Sequence, residues 1–513
     1  MNEVAQSQDE VLRFLADPKS YGEVGTKTVR RIDTHAATVF LAGDRVLKIK
    51  RAVRFPFLDF STLDKRKAAC EAELAVNAPY APEIYRGVVA ISRGGDGRLA
   101  IGGDGAPVEW AVEMRRFDET RTLDHLTGAI DDTLADALGR VVAAAHAQAR
   151  PVEAAPWIAA LGAYIDEHAE AFAAQGDIML TAAAGVLARQ SREAYERIVP
   201  LLRERGRNGL VRRIHGDLHL GNIVLIDGRP LLFDAIEFSD IIASGDVLYD
   251  LAFLLMDLVE RGLPQPANIV FNRYLNETKR IDDLDALAAL PFFLSMRAAI
   301  RAKVTFARME RAPAKERRAI ATAAAAYFAF AQRALAPERP KLVAVGGLSG
   351  TGKSQLARTL APQIAPMPGA VIVRSDVERK ALFGIGETER LPLDAYKAEV
   401  TERVYALLCD KARRIVAAGH SAIVDAVFAR PQERAAVEEV ARSADVRLHG
   451  LFLTAPLEVR LARVGSRTRD ASDAGREVAQ AQEGYDIGQV DWIRIDAAGT
   501  AADTAAQVHL MLD

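Results

Sequence analysis

The sequence predicts a multidomain protein in which a strand-rich region and a nearly all-helical region precede an α/β domain with a doubly wound parallel sheet. The 513 residues correspond to about three to four compact units of roughly 150 residues each. Half of the residues are hydrophobic, which is ample for several buried cores. After residue 341, apolar strands alternate with turns and helices, the order that builds a parallel sheet.

The predicted boundaries follow changes in this pattern. Residues 1–117 combine strands with one helix, and residues 118–335 are helical except for short β-rich pieces over 211–234. A segment with two prolines ends the helical region, so we place a linker at 336–340 and the α/β domain at 341–513.

Single elements can be placed within these regions. Residues 38–41 and 45–50 form a predicted hairpin around a Gly-Asp turn, and 63–76 form a predicted helix. The expected strands of the parallel sheet are short apolar runs in the last region, at residues 343–345, 371–373, 422–424 and 448–453.

Charge and cysteine content exclude several classes of protein. The 66 Lys and Arg against 69 Asp and Glu disfavour a nucleic acid partner that is gripped through overall basicity. Only Cys70 and Cys409 are present, which argues against a disulfide framework and a Cys-based zinc site. The start of the chain lacks a signal-peptide pattern, and apolar stretches such as 284–300 are interrupted by polar residues or proline. We expect a soluble cytoplasmic protein without a membrane partner.

A phosphate-binding motif opens the α/β domain. Residues 347–354 fit G-x-x-x-x-G-K-[ST] between an apolar strand and a helix, the context of a P-loop rather than of an ordinary Gly-rich turn. Backbone N–H groups would wrap the β-phosphate, Lys353 would reach the β/γ oxygens, and the Ser354 hydroxyl would hold Mg²⁺. The predicted nucleotide-binding residues are Gly347, Ser349, Gly350, Thr351, Gly352, Lys353 and Ser354.

Further polar residues follow the next strands, where the nucleotide crevice should open. Asp425 suits a carboxylate that orients magnesium, although a helix-capping Asp has the same appearance in sequence. Arginines, Arg463 and Arg467 among them, cluster before residue 470. They fit either a lid that closes over the transferring phosphate or a solvated helix face.

Residues 341–513 resemble small P-loop kinases of the gluconate kinase, polynucleotide kinase and zeta-toxin type. The resemblance rests on the P-loop, on the run from Arg374 to Arg379, on Asp425 and on the stretch 463–473. It implies that Asp376 is the general base and that Arg379, with Arg374, holds the substrate.

A second kinase signature lies in the helical region. His215-Gly216-Asp217-Leu218-His219-Leu220-Gly221-Asn222 is followed by Leu232-Phe233-Asp234, the spacing of a kinase catalytic loop and its magnesium-binding Asp. Asp217 would accept the hydroxyl proton, while Asn222 and Asp234 would hold Mg²⁺. The alternative makes the Asp and Asn ordinary turn residues in a hairpin.

Such a kinase also needs a strand lysine on the phosphates and a helix carboxylate that positions it. Lys48 with Glu73 is the preferred pair, and Lys50 and Glu71 are alternatives. No Gly-rich loop precedes this strand, so phosphate covering would depend on hydroxyls and amides near Thr34.

This region, roughly residues 20–335, resembles aminoglycoside phosphotransferase-like kinases through its catalytic loop and Phe233-Asp234. The resemblance implies a bilobal protein-kinase-like α+β fold with its hinge near 113–117, phosphorylation of small-molecule hydroxyls, and an Asp250 that braces the catalytic loop. Several acidic side chains of the helical lobe fit either a cationic acceptor or a solvated face. They are Glu237, Asp240, Asp246 and Asp257.

Together the two resemblances are those of a bacterial family of fused kinases. The sequence therefore predicts an enzyme with two ATP and Mg²⁺ sites that phosphorylates hydroxyl groups of small molecules, such as a sugar or an aminoglycoside. In one alternative, one domain is a nucleotide sensor that gates the other. In a second, the P-loop domain phosphorylates nucleic acid ends, and oligomeric state and acceptor stay open.

Overall fold

The computed structural model describes residues 2–22, 27–55, 58–175, 178–309, 312–465 and 471–509. The chain forms two compact units, and each takes two stretches of sequence. They are Met1–Ala163 with Leu202–Asp257, and Tyr164–Leu201 with Leu258–Asp513. Over the described part of the chain, no helix combines the length and the hydropathy needed to cross a bilayer.

In the residues that the structure describes, the first unit contains twelve strands and the helices that cover them. The strands are β1 (Val29–Asp33), β2 (Ala37–Ala42), β3 (Arg45–Lys50), β4 (Arg54–Phe55), β5 (Leu58–Asp59), β6 (Tyr85–Arg93), β7 (Leu99–Ile101), β8 (Ala106–Arg115), β9 (Val211–Arg213), β10 (Ile223–Ile226), β11 (Arg229–Leu232) and β12 (Ser244–Asp246). The helices are α1 (Asn2–Ala16), α2 (Leu63–Asn77) and α3 (Asp132–Gln148), with parts of α4 (Ala154–Ala173), α5 (Ile178–Arg207) and α6 (Val247–Glu260).

The main sheet of this unit is antiparallel, with the order β1-β2-β3-β8-β6-β7. The predicted hairpin is confirmed: β2 pairs with β3 around Gly43, whose φ of +59° favours glycine. On β3, Leu47 and Ile49 lie in the apolar core that α1 helps to form. Because side chains alternate along a strand, Lys48 and Lys50 lie on the opposite face.

The second unit holds the remaining parts of α4, α5 and α6, together with four further helices and an α/β layer. Its elements are α7 (Pro264–Thr278), α8 (Ile281–Asp285), α9 (Leu290–Met309), α10 (Ala314–Ala334), β13 (Lys341–Gly347), α11 (Lys353–Leu360), β14 (Val371–Arg374), α12 (Ser375–Leu382), α13 (Ala398–Ala417), β15 (Ala422–Asp425), α14 (Pro431–Ser443), β16 (Arg447–Thr454), α15 (Leu457–Gly465), α16 (Arg476–Ala481), β17 (Ile493–Asp496) and α17 (Ala501–His509).

The five strands of this layer pair in parallel in the order β14-β15-β13-β16-β17, which confirms the predicted sheet. Val343, Val345, Ile423 and Leu451 pack in a core with α11. β13 is the middle strand, so the loop that follows it opens at the carboxyl edge of the sheet between β15 and β16.

The compact units divide the chain elsewhere than at the predicted linker. Residues 336–340 form neither helix nor strand and lie inside the second unit. The reason is that α7 and α8, upstream of the linker, contact the α/β layer: Asn272 bonds to β14, and Asp285 pairs with Arg414 at 2.8 Å. The predicted domain limits at 117 and 335 stay predictions.

Candidate active sites

A chain of ion pairs joins β3 and α2 to the residues after β11. Lys48 Nζ lies 2.8 Å from Glu73 Oε1 and 2.8 Å from Asp234 Oδ1. Lys50 Nζ lies 2.6 Å from Glu73 Oε2 and also pairs with Glu237. Both strand lysines therefore share one helix carboxylate.

Glu73 is fully buried, and burial by itself would raise its pKa. Lys48 and Lys50 outweigh that effect and lower the pKa of Glu73 to about 2, so the carboxylate stays ionised. Glu71, the alternative partner, is exposed and 3.7 Å from Lys67. The structure thus brings together the preferred pair and adds Lys50 as a second partner.

The loop from His215 to Asn222 brings its two predicted site residues together. Asn222 Nδ2 donates to Asp217 Oδ2 and to the Asp217 carbonyl oxygen, each at 3.0 Å. His219 Nε2 lies 3.4 Å from the same carboxylate oxygen. The Asp217 side chain is 40% exposed, so a hydroxyl-bearing molecule can reach it from solvent.

Two carboxylates of α6 accept hydrogen bonds from backbone N–H groups of this loop. Asp250 accepts from the backbone N–H groups of His215 and Gly216, each at 3.0 Å, which confirms its predicted bracing role. Asp257 accepts from the N–H of Leu220 at 2.9 Å. Helical spacing places both acids on one face of α6, and they satisfy amides that the turn leaves unpaired.

The backbone at Asp234 is also held in place. Its φ of +59° is uncommon for a residue with a side chain. The Asp234 N–H donates to the Tyr85 hydroxyl at 3.2 Å, and Asn77 bonds to both backbone groups of Ala235 at 2.7 and 3.2 Å. Sequence reasoning missed Asn77 and Tyr85, whose contacts span about 150 residues of chain.

Other predicted residues of the first unit have structural partners. The Thr34 hydroxyl accepts from the Ala37 N–H at 3.0 Å and so holds the turn between β1 and β2. The suggestion that Asp246 and Asp257 line an acceptor surface or a solvated face is wrong, because both are buried. Asp246 pairs with Arg205 at 2.8 Å, while Asp240 is 85% exposed.

In the second unit, three glycines of the P-loop have backbone conformations that other residues rarely adopt. Gly347, Gly350 and Gly352 have φ of +135°, +88° and +93°. A Cβ at Gly350 would lie 2.6 Å from the carbonyl oxygen of Arg460, so this position excludes any side chain. α11 begins at Lys353, and the N–H groups of its first turn face a bound anion favourably.

The loop is held by its own side chains and by later elements. Lys353 Nζ donates to the Leu348 carbonyl at 3.2 Å, and the Thr351 hydroxyl donates to the same carbonyl at 2.8 Å. The Ser349 N–H donates to Gln482 Oε1 at 2.7 Å. Sequence reasoning missed Gln482, since a single Gln 133 residues away carries no local signal.

Ser354 and Arg374, both partly buried, contact the buried Asp425 where three neighbouring elements begin or end. Ser354 Oγ donates to Asp425 Oδ2 at 2.6 Å, and Arg374 Nη2 donates to Ser354 Oγ at 3.0 Å. Arg374 Nε lies 3.2 Å from the same Asp425 oxygen. Arg374, predicted to hold the substrate, therefore rests on the two predicted metal ligands.

Asp376 lies in the first turn of α12, directly after this group. Burial raises the pKa of Asp376, and the neighbouring Asp425 adds to the increase, while Arg374 and Lys353 oppose it. A carboxylate whose pKa is raised towards the working pH is better suited to accept a proton than one at its ordinary value.

Two further predicted arginines, Arg379 and Arg463, bond to backbone carbonyls. Arg379 Nη1 donates to the Ala395 carbonyl at 2.6 Å and to Thr401 Oγ1 at 3.3 Å. Arg463 Nη1 donates to the Ala497 carbonyl at 2.7 Å and so fastens the loop after β17. In the structure both guanidiniums hold backbone carbonyls. Arg467 lies outside the described residues.

The donor atoms of both units fit Mg²⁺. Asn222 with Asp234, and Ser354 with Asp425, supply the hard oxygen ligands that this ion prefers. Among the described residues no three His, Cys, Asp or Glu side chains converge on one point. This donor set suits an ion held by one or two side chains together with nucleotide phosphates.

Comparisons with known proteins agree with this geometry. The family model described as "Phosphotransferase enzyme family" matches residues 33–290, and an "AAA domain" model matches residues 342–485. The chain belongs to the phosphotransferase enzyme family. The phosphotransferase match covers the ion-pair chain and the loop from His215 to Asn222, and the second match covers the P-loop, which confirms the fused two-domain kinase architecture.

Several relatives and solved structures are also similar to this phosphotransferase. Uncharacterized proteins of Mycobacterium bovis and Mycobacterium tuberculosis are each 30% identical over 490 residues, 93% of this chain and 94% of theirs. A choline/ethanolamine kinase family protein from Mesorhizobium loti is 17% identical, with a TM-score of 0.40 over 64% of this chain and 95% of that one. The Mycobacterium tuberculosis APS kinase is 22% identical, with a TM-score of 0.25 over 34% and 98%.

Proposed function

We propose that this phosphotransferase has two ATP sites and that each transfers the γ-phosphoryl group to a hydroxyl of a small molecule. The observation that carries the proposal is that each unit assembles the same set of parts. That set is a lysine, side-chain oxygens suited to Mg²⁺ and an acidic side chain, to which we assign phosphate binding, metal binding and proton acceptance. Asp217 is the proton acceptor in one set, and Asp376 is the proton acceptor in the other.

At the first site, Asp217 accepts the proton of the acceptor hydroxyl. The hydroxyl oxygen forms a bond to the γ-phosphorus as the bond from that phosphorus to the β,γ-bridging oxygen breaks, and ADP leaves. Lys48, held by Glu73, places a positive charge on the α/β phosphates. Asn222 and Asp234 would hold magnesium, which would supply positive charge to neutralise the phosphates.

At the second site, the same bonds form and break with other groups. Backbone N–H groups of the P-loop and Lys353 hold the β- and γ-phosphates. Asp376 takes the hydroxyl proton, and its raised pKa supports that role. Ser354 and Asp425 supply the oxygens for magnesium.

The net charge of the chain favours a small hydroxylated molecule over nucleic acid as the acceptor. The net charge of −3 gives the chain no overall attraction for a polyanion, which disfavours nucleic acid ends. Nucleic acid ends are the competing class of acceptor, so the acceptor panel includes oligonucleotides. Their binding is measured at low salt.

The test is a hydroxyl-acceptor panel read by product mass and ATP consumption. Wild type, Asp217→Ala, Lys353→Ala and the double variant are compared. Each single variant is expected to lose a different set of products, by about 100-fold or more in kcat/KM, because each loses one catalytic group. The double variant is expected to lose both sets.

Matched controls remove similar groups away from either site. Asp96→Ala deletes an exposed carboxylate of a hairpin turn, and Lys397→Ala deletes an exposed lysine. Both are expected to retain wild-type turnover. The proposal fails if neither active-site substitution lowers turnover of an acceptor that the wild type phosphorylates.

A further inference from the structure

β14 is an edge strand of the parallel sheet, with β15 on one side. The outward backbone groups of an edge strand need other partners when they are buried. Asn272 of α7 supplies them: its Oδ1 accepts from the Ile372 N–H at 2.7 Å, and its Nδ2 donates to the Ala370 carbonyl at 3.1 Å. One amide thus continues the hydrogen-bond ladder where a neighbouring strand would lie.

A second asparagine supports the first. Asn268 Nδ2 donates to the Ala370 carbonyl at 3.1 Å and to the Pro368 carbonyl at 3.3 Å. Gly369, between them, has a φ of +107°, and a Cβ there would lie 2.7 Å from Asn268 Nδ2. The helix and the strand therefore approach more closely than a side chain would allow.

Helix stability does not account for these two residues. Asn is a poor residue for a helix interior, and burying its amide costs free energy unless the amide is hydrogen-bonded. Asn268 and Asn272 are 2% and 8% exposed, and both direct their amides to the start of β14. Their contribution is to fix the position of that strand.

The strand leads directly into the reacting groups. Arg374, at the end of β14, contacts Ser354 and Asp425, and Asp376 follows in α12. Arg273, next to Asn272, donates to Glu387 at 2.5 Å in the segment after α12. α7 is therefore attached both before and after the residues that carry the second site.

We infer that Asn272 is a positioning residue of the P-loop site, which acts through β14 on Arg374 and Asp376. The inference rests on the proposed phosphoryl transfer at that site. Because the phosphotransferase match reaches residue 290 and includes α7, the helical end of that region serves the P-loop reaction.

The test compares full-length Asn272→Leu and Asn272→Asp with wild type in an Asp217→Ala background. Asn272→Leu is expected to lower kcat of the P-loop product by about 10- to 100-fold, since misplaced catalytic groups cost that much. The KM for ATP should stay within about 3-fold, because the phosphate loop follows β13 and not β14.

The Asn272→Asp variant tests whether lowering the pH restores kcat. The carboxylate repels the Ala370 carbonyl, whereas the protonated acid donates to that carbonyl and still accepts from Ile372. The ratio of its kcat to that of wild type should therefore rise as pH falls from about 8 to about 6, and Asn272→Leu should show no such rise. Of the neighbouring groups, Arg273 pairs with Glu387, and burial lowers the pKa of His420 to about 4, so the imidazole stays neutral.

Asp285→Asn is the matched control, because it breaks the half-exposed ion pair to Arg414 without contacting β14. Its kcat should equal that of wild type. The inference is overturned if Asn272→Leu matches the control in kcat, or if KM rises in proportion to the loss of kcat.

A binding measurement, which does not depend on turnover, separates this inference from the proposed function. Magnesium-dependent binding of a non-hydrolysable ATP analogue is measured in a Lys48→Ala background. Asn272→Leu should change the magnesium concentration for half-maximal binding by about 5-fold or more, since Arg374 rests on the metal ligands. If wild type shows no P-loop turnover, the proposed function fails there, and an unchanged magnesium dependence overturns the inference as well.

Discussion

The two units place a basic side chain on their predicted metal carboxylate in different ways. In the first, Asp234 is 49% exposed and meets Lys48, a point charge that also contacts Glu73. In the second, Asp425 is 4% exposed and meets the Arg374 guanidinium and the Ser354 hydroxyl. The first carboxylate is half exposed to solvent, whereas the second is buried and hydrogen-bonded, so the two sites should respond differently to loss of the basic partner.

The largest expected effect comes from removing the shared carboxylate of the first unit. Glu73→Gln leaves two strand lysines without their common buried counter-charge. It should cost about 3–5 kcal/mol of unfolding free energy, measured by denaturant titration. Glu71→Gln, on the exposed face of the same helix, should cost less than about 0.5 kcal/mol. Equal losses in the two variants would show that the buried ion pairs do not stabilise this lobe.

The second unit should be sensitive to the shape of its basic partner. Arg374→Lys removes the guanidinium that contacts both Ser354 and Asp425, and it should lower P-loop turnover about 10- to 100-fold. First-site products should be unaffected. Full activity of Arg374→Lys in product-mass assays would mean that a positive charge at this position is sufficient for turnover and that the guanidinium shape is not required.

A pH profile should separate the P-loop site further. Burial raises the pKa of Asp376, and the residue must be deprotonated to accept a proton. The kcat/KM of P-loop products, measured in an Asp217→Ala background, should therefore fall as pH drops through that raised value. The decline should begin above the ordinary Asp pKa of about 3.9. A rate that stays constant down to that ordinary value would remove Asp376 from the role.

The smallest effect is expected at Thr34. Thr34→Ala deletes the hydroxyl bond to Ala37 that holds the turn, worth about 1 kcal/mol of unfolding free energy. ATP affinity at the first site should change by less than about 3-fold. A loss of more than about 10-fold in isothermal titration would support the prediction that Thr34 covers the phosphates.

Local spacing accounts for what the sequence could predict. The Asp217–Asn222 interval, the two lysines of β3 and the P-loop each lie within one short segment, and the structure brings Lys48, Glu73 and Asp234 together as their residue types suggest. Strand alternation placed both lysines on one face, although it left open which carboxylate they would meet.

Contacts between distant segments could not be predicted in this way. Gln482 bonds to the P-loop across 133 residues, and Asn272 bonds to β14 across 100 residues. In sequence, Arg463 fits either a lid over the phosphate or a solvated helix face, and the pattern gave no sign of its bond to the Ala497 carbonyl. Tertiary packing determines the partner of a long polar side chain, and residue type alone does not.

We propose that one chain carries two independent nucleotide sites. The most direct test of this claim is the stoichiometry of a non-hydrolysable ATP analogue, measured by equilibrium dialysis with excess magnesium. We expect two molecules per chain for wild type, one for Lys48→Ala and one for Lys353→Ala. A single molecule per wild-type chain, or the loss of both molecules in either variant, would contradict the claim.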